Sequence, residues 1–80
     1  MRYEGRIIII DASLEPENNS VVLAEVNSEF QLRRYKEISE HIMLEGLQPG
    51  IDPVLVTEEV EVRIIGVRTE TLSALLSNRR

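Results

Sequence analysis

The sequence predicts a mainly β domain, and three observations carry that prediction. Isoleucine and valine cluster in four places, as short runs or alternating with polar residues. Pro, Asn, Ser and Gly punctuate the chain between those clusters. Helical spacing of apolar residues is weak and confined to the C-terminal tail. Short strands separated by short turns build compact β-rich domains.

The first strand is read over Arg6–Asp11, around Ile7-Ile8-Ile9-Ile10. A continuous apolar run this short indicates a strand buried on both faces. Leu14–Ser20 follows as a turn region, with Pro16, Asn18 and Asn19 as turn formers. The second strand is Val21–Val26. Asn27-Ser28 then stands in the place of a two-residue hairpin turn, where Asn tolerates positive φ. In the third strand, Glu29–Lys36, alternation puts Phe30, Leu32 and Arg34 on one face and Gln31, Arg33 and Tyr35 on the other. Polar Glu37–Glu40 reads as a turn and Ile42–Leu47 as a fourth strand. Two prolines and a glycine make Gln48–Pro53 a loop before a short strand, Val54–Val56. The last strand is Val60–Val67, with Val62 and Ile64 facing one way and Ile65 and Val67 the other. A short helix is expected over Glu70–Ser77, where Leu72, Leu75 and Leu76 fall at i, i+3 and i+4, with Thr69 or Thr71 as N-cap.

Eighty residues make one small domain, 1–80, with a thin core. Nine Lys+Arg stand against fourteen Asp+Glu, for a net charge of −5, which makes the chain a poor non-specific binder of nucleic acid. The absence of cysteine excludes disulfides, thiolate zinc sites and cysteine nucleophiles. The longest apolar run, Ile7 to Ile10, is far short of the ~20 residues that a membrane helix needs. The N-terminus lacks the apolar stretch of a signal peptide. The expectation is a cytoplasmic module with no membrane contact.

Sites for chemistry are sparse. His41 is the sole histidine and reads as a surface or rim residue; zinc sites need several His or Cys ligands. Glu58, Glu59 and Glu61 form a carboxylate cluster that reads as a solvated face before it reads as a hard-cation site. None of the glycines at 5, 46, 50 and 66 forms a phosphate-cradling loop, and no cofactor is expected. Arg33, Arg34 and Lys36 are the internal basic cluster, but alternation sends Arg33 and Arg34 to opposite faces. The serines show neither a Gly-x-Ser-x-Gly elbow nor a Ser-x-x-Lys spacing.

One ordered set of segments goes further. Gly5-Arg6-Ile7-Ile8-Ile9-Ile10-Asp11, Ser13-Leu14-Glu15-Pro16 and Val21 through Phe30 resemble the C-terminal domain of the LexA/UmuD family, the self-cleaving S24 serine proteins of the bacterial SOS response. The resemblance continues without a gap through Leu44–Val56 and Ile64-Ile65-Gly66-Val67. The Asp-x-Ser-Leu-Glu-Pro step and the Glu29-Phe30 pair look more like UmuD than LexA. The resemblance implies a bent antiparallel sheet of the β-clip or pseudo-barrel kind.

The resemblance also places Arg33 where the family carries the lysine of its Ser-Lys dyad. Arginine stays protonated at any workable pH and cannot serve as that base. Lys36, at odd spacing from Arg33, belongs to the other strand face. The family's serine turn lies upstream of Gly5, so the chain is expected to lack the serine-bearing part. Gly46, Gln48 and Ile51 stand where the family has Pro, Asn and Tyr.

The resulting expectation is a non-catalytic, UmuD-like dimerisation or accessory module of the SOS response and translesion synthesis. The alternatives are the dimerisation domain of a degenerate phage or plasmid repressor, or a fragment of an active S24 peptidase. A thin core and a last strand with apolar groups on both faces predict a homodimer, with Val62, Ile64, Ile65 and Val67 as its contacts, and the resemblance points to the same C-terminal region. It names a Y-family DNA polymerase or a RecA filament as partners, without direct nucleic-acid binding. A buried Arg33 needs a counter-charge or water, with Glu25 and Glu29 as candidates.

Overall fold

The fold is that of a computed structural model, which describes residues 7–71. Six strands follow one another: β1 (Ile8–Asp11), β2 (Val21–Val26), β3 (Glu29–Ile38), β4 (His41–Glu45), β5 (Val54–Leu55) and β6 (Val62–Thr71). They form one antiparallel sheet in the order β1-β6-β2-β3-β4-β5. β2 to β5 run as a meander of neighbours, and β6 returns across the sheet to lie between β1 and β2. Among the described residues the sheet is not closed: it ends at β1 on one side and β5 on the other.

The hairpins follow local turn chemistry. Asn27 and Ser28 connect β2 to β3 with φ of 49° and 73°. Two left-handed residues in succession match the right-handed twist of the flanking strands. Ser39, with φ of 57°, begins the turn between the paired residues Ile38 and His41. The Leu14–Ser20 region is fastened to β3 by backbone bonds from Asn19 N–H to Tyr35 O (2.7 Å) and from Tyr35 N–H to Ser20 O (2.7 Å). The Asn18 side chain accepts a further bond from Glu37 N–H at 2.9 Å.

The core lies on one face of the sheet. Val22, Ala24 and Val26 of β2, Tyr35 of β3, Leu44 of β4 and Val67 of β6 are its buried members. Ile42, Val54, Val56, Val60, Val62 and Ile64 pack against them. The single phenylalanine, Phe30, is 62% exposed, so among the described residues Tyr35 is the aromatic group of this core.

Three sequence expectations are corrected. The isoleucine run is not buried on both faces: among the described residues β1 is an edge strand paired only to β6, and all four of its residues are half-buried. Strict alternation along the last strand fails, because the β2–β6 register shifts between Leu23 and Ala24, with Gly66 opposite Leu23 and Ile64 opposite Ala24. Ile65 is the extra residue of that bulge, and it turns Val67 onto the same core face as Val62 and Ile64. The expected helix is strand at its start, since β6 continues through Glu70 and Thr71. Leu72, Leu75 and Leu76 lie outside the described residues, as do Gly5 and Arg6.

Candidate functional site

The candidate site is the neighbourhood of Arg33. Arg33 stands opposite Val22 in the β2–β3 ladder, and Gln31 stands opposite Ala24. Val22 and Ala24 point into the core, so Arg33 and Gln31 project on the core face, as alternation requires. Tyr35, also on that face, is buried opposite Leu44. Leu32 and Arg34 belong to the other face.

The guanidinium of Arg33 is partly buried and well supplied with acceptors. Its Nε–H donates to Gln31 Oε1 at 2.9 Å. Its Nη1 donates to the backbone carbonyl of Asp52 at 2.8 Å and, more weakly, to that of Leu44 at 3.4 Å. Gln31 in turn donates from Nε2 to Glu29 Oε1 at 2.9 Å. A row of three side chains on one strand face thus ends on the loop between β4 and β5.

Neither expected counter-charge reaches Arg33 directly. Glu25 lies on the opposite sheet face, between Phe30 and Arg63, and pairs with Arg63 at 2.7 Å. Glu29 is connected only through Gln31. Backbone carbonyls take the place of a carboxylate, which sequence patterning could not reveal, because every residue carries one.

Lys36 is remote from this cluster. It points to the other face, where its Nζ bonds to Asn19 Oδ1, and Arg34 Nη1 reaches Asn19 O at 3.0 Å. His41 is an exposed residue at the start of β4. Glu58 and Glu59 lie in a turn, and Glu61 precedes β6 rather than lying within it. Among the described residues, no group of three or more His, Asp or Glu side chains is placed to hold a metal ion. A shallow cleft of about 160 Å³ is lined by Glu25, Ser28, Glu61 and Arg63. It is separate from Arg33, and the Glu25–Arg63 ion pair forms part of its wall.

Among the described residues, two ionisable groups are shifted. Hydrogen bonds from Ser13 Oγ (2.6 Å) and Ser13 N–H (2.9 Å) hold the Asp11 carboxyl below the usual aspartate range. Burial, with a smaller contribution from the Glu37 carboxylate, pushes the Tyr35 phenol up.

Val62, Ile64 and Val67, three of the four residues expected at a dimer contact, pack on or within the core. Ile65, at the bulge, is half-buried and stands outside that cluster. The Gly46 substitution also finds a local reason. A Cβ at position 46 would stand 2.6 Å from Ile51 Cγ2, so a glycine there accommodates the isoleucine.

Residues 2–69 match the family model described as Peptidase S24-like. Comparison with curated proteins finds no significant match.

Proposed function

This chain belongs to the Peptidase S24-like family, and we propose that within it the chain is a non-catalytic, UmuD-like association module. The observation that supports this best is the use made of Arg33. Arg33, which the resemblance puts at the family's general-base position, is a permanent cation that donates to Gln31, Leu44 and Asp52. A base must give up its proton, and guanidinium does not at workable pH. Arg33 therefore acts as a brace between β3 and the β4–β5 loop.

On this reading the module works by contact, as a homodimer in the cytoplasm. Its partners are those that the resemblance implies: a RecA filament or a Y-family polymerase in the SOS and translesion setting. The test is cleavage itself. The purified chain is incubated with RecA filaments and a peptide carrying the family's cleavage site, from neutral to alkaline pH. No cleavage is expected. Specific cleavage that disappears in Arg33→Ala would overturn the non-catalytic reading.

A further inference from the structure

Arg34 and Lys36 alternate with Tyr35 on β3 and project from the face opposite the core. Both reach back to one residue of the turn before β2. Arg34 Nη1 donates to the Asn19 carbonyl at 3.0 Å, and Lys36 Nζ donates to Asn19 Oδ1. Asn19 is itself fixed: its N–H donates to Tyr35 O at 2.7 Å, and its φ is 78°. Two cations are thereby gathered around one neutral residue, whose oxygens accept hydrogen bonds without cancelling the charge. Among the described residues neither cation has a carboxylate within ion-pair reach, and the pair formed on that face is Arg63–Glu25. A guanidinium and an ammonium each carry more N–H groups than these bonds use, so donors remain for a ligand.

Apolar side chains continue the patch. Ile38, on the same face of β3, is 52% exposed. Met43 stands opposite Lys36, and Leu55 opposite Met43, with Leu55 45% exposed. Met43 and Leu55 share the face of Lys36, because their sequence neighbours Leu44 and Val54 turn to the core. A ligand for this patch must bring negative charge and apolar groups together. A phosphate ion brings charge alone. A nucleic acid brings a run of charges to a chain of net charge −5, with Glu45 opposite Arg34. A protein segment with apolar residues among its carboxylates matches both parts. Cations already held by Asn19 also lose less freedom on binding than free side chains do.

We propose that this patch on β3, β4 and β5 docks an acidic, apolar segment of a different protein. The partner's carboxylates seat on Arg34 and Lys36, and its apolar side chains lie on Ile38, Met43 and Leu55. The proposal rests on the reading that the module works by contact, and it names the chemistry of one contact. Charge selects the partner and speeds the encounter, while the exposed apolar side chains supply area to bury.

The probe is a synthetic peptide of alternating leucine and aspartate, titrated into the isotope-labelled full chain and followed by NMR. Amide shifts should move at Arg34, Lys36, Ile38, Met43 and Leu55. A peptide with lysine in place of aspartate should leave them unmoved. Lys36→Gln and Leu55→Ser should each weaken binding by roughly fivefold. Neither side chain is buried, and the wild-type titration stands whether or not a variant folds. Arg63→Gln removes the same charge elsewhere on that face and should leave the affinity unchanged, which separates local contact from net charge. Absence of binding at millimolar peptide would overturn the proposal, as would equal losses in Lys36→Gln and Arg63→Gln. The same shifts with inorganic phosphate or single-stranded DNA would overturn it in favour of a general anion site. Magnetisation transfer from residues 72–80 to Met43 or Leu55 in the free chain would overturn it in favour of the chain's own tail. Cleavage activity with peptide binding intact would instead sink the non-catalytic reading and leave this site standing.

Discussion

The Nη1 of Arg33 donates to the backbone carbonyl of Asp52 at 2.8 Å, joining the middle of β3 to a loop 19 positions further along the chain. The same guanidinium holds Gln31 Oε1, so the loop is referred back to the strand face on which Arg33 stands. Lysine lacks the planar fork that meets acceptors in different directions. Arg33→Lys should lower stability by about 1–2 kcal/mol, the cost of leaving partly buried acceptors without their donors. Denaturant unfolding checks the magnitude. Faster amide exchange confined to residues 46–56 would place the loss on the loop.

Ser28 takes a φ of 73° in the β2–β3 turn. A non-glycine residue in that conformation costs about 1–2 kcal/mol, part of which glycine returns as extra freedom in the unfolded chain. Ser28→Gly should therefore stabilise the domain, by about 0.5–1 kcal/mol. Asn27→Ala should act in the opposite sense, because Asn27 Oδ1 also accepts from Glu61 N–H at 3.1 Å. A thermal melt of each variant gives the signs.

A Cβ at Gly66 would stand 2.6 Å from Ile10 Cγ2 and 2.9 Å from the carbonyl oxygen of Asp11. The isoleucine can rotate, but the backbone carbonyl of β1 cannot move without shifting the strand. Gly66→Ala should cost about 1–3 kcal/mol, as overpacking does. Chemical-shift changes concentrated in β1 and β6 would locate the strain. A neutral substitution would show that β1 is more loosely held than the geometry indicates.

Leu44 is fully buried at the centre of the core. Leu44→Ala should cost about 2–5 kcal/mol. In a domain of this size that is a large share of the whole stability. Urea unfolding should show a lower midpoint or no cooperative transition.

Acid should act on the turn after β1. The folded pKa of Asp11 lies below its unfolded value because Ser13 bonds the carboxylate. Its contribution to stability is present above the unfolded pKa and is lost as pH falls through the folded one. An NMR titration should show Asp11 titrating below the usual aspartate range. Ser13→Ala should raise that value and remove this part of the acid dependence.

The strands of this fold were legible in the sequence, because alternation and turn residues act locally. Asn27-Ser28 marks its hairpin as read, and the six strands stand within a few residues of their expected places. What lay beyond local pattern was lost. The four isoleucines look alike whether a strand is central or at an edge; its neighbours decide that, and β6 arrives from the far end of the chain. The bulge at Ile65 reverses the facing of Val67 with no local mark except the glycine that follows it. The position of Arg33 on the core face was legible from alternation, whereas its partners were not. Carbonyls of Leu44 and Asp52 carry no sequence signature, while the two glutamates that do carry one are otherwise engaged.

The place of β6 in the sheet sets the order in which a growing chain can fold. β2, β3, β4 and β5 are sequential neighbours, so each can zip onto the one before it as it leaves the ribosome. β1 is made before them yet has no partner in that meander. Its Asp11 pairs with Val67 and its Ile8 with Thr71, both in β6. Closing such distant contacts carries the largest loop entropy in the domain and belongs to the slow part of folding. Until β6 is made the isoleucine strand waits without that neighbour, a nascent stretch that a chaperone can bind or that another nascent copy can seize. The arrival of β6 satisfies β1 and β2 together, so the last of the described strands is also the one that locks their sheet.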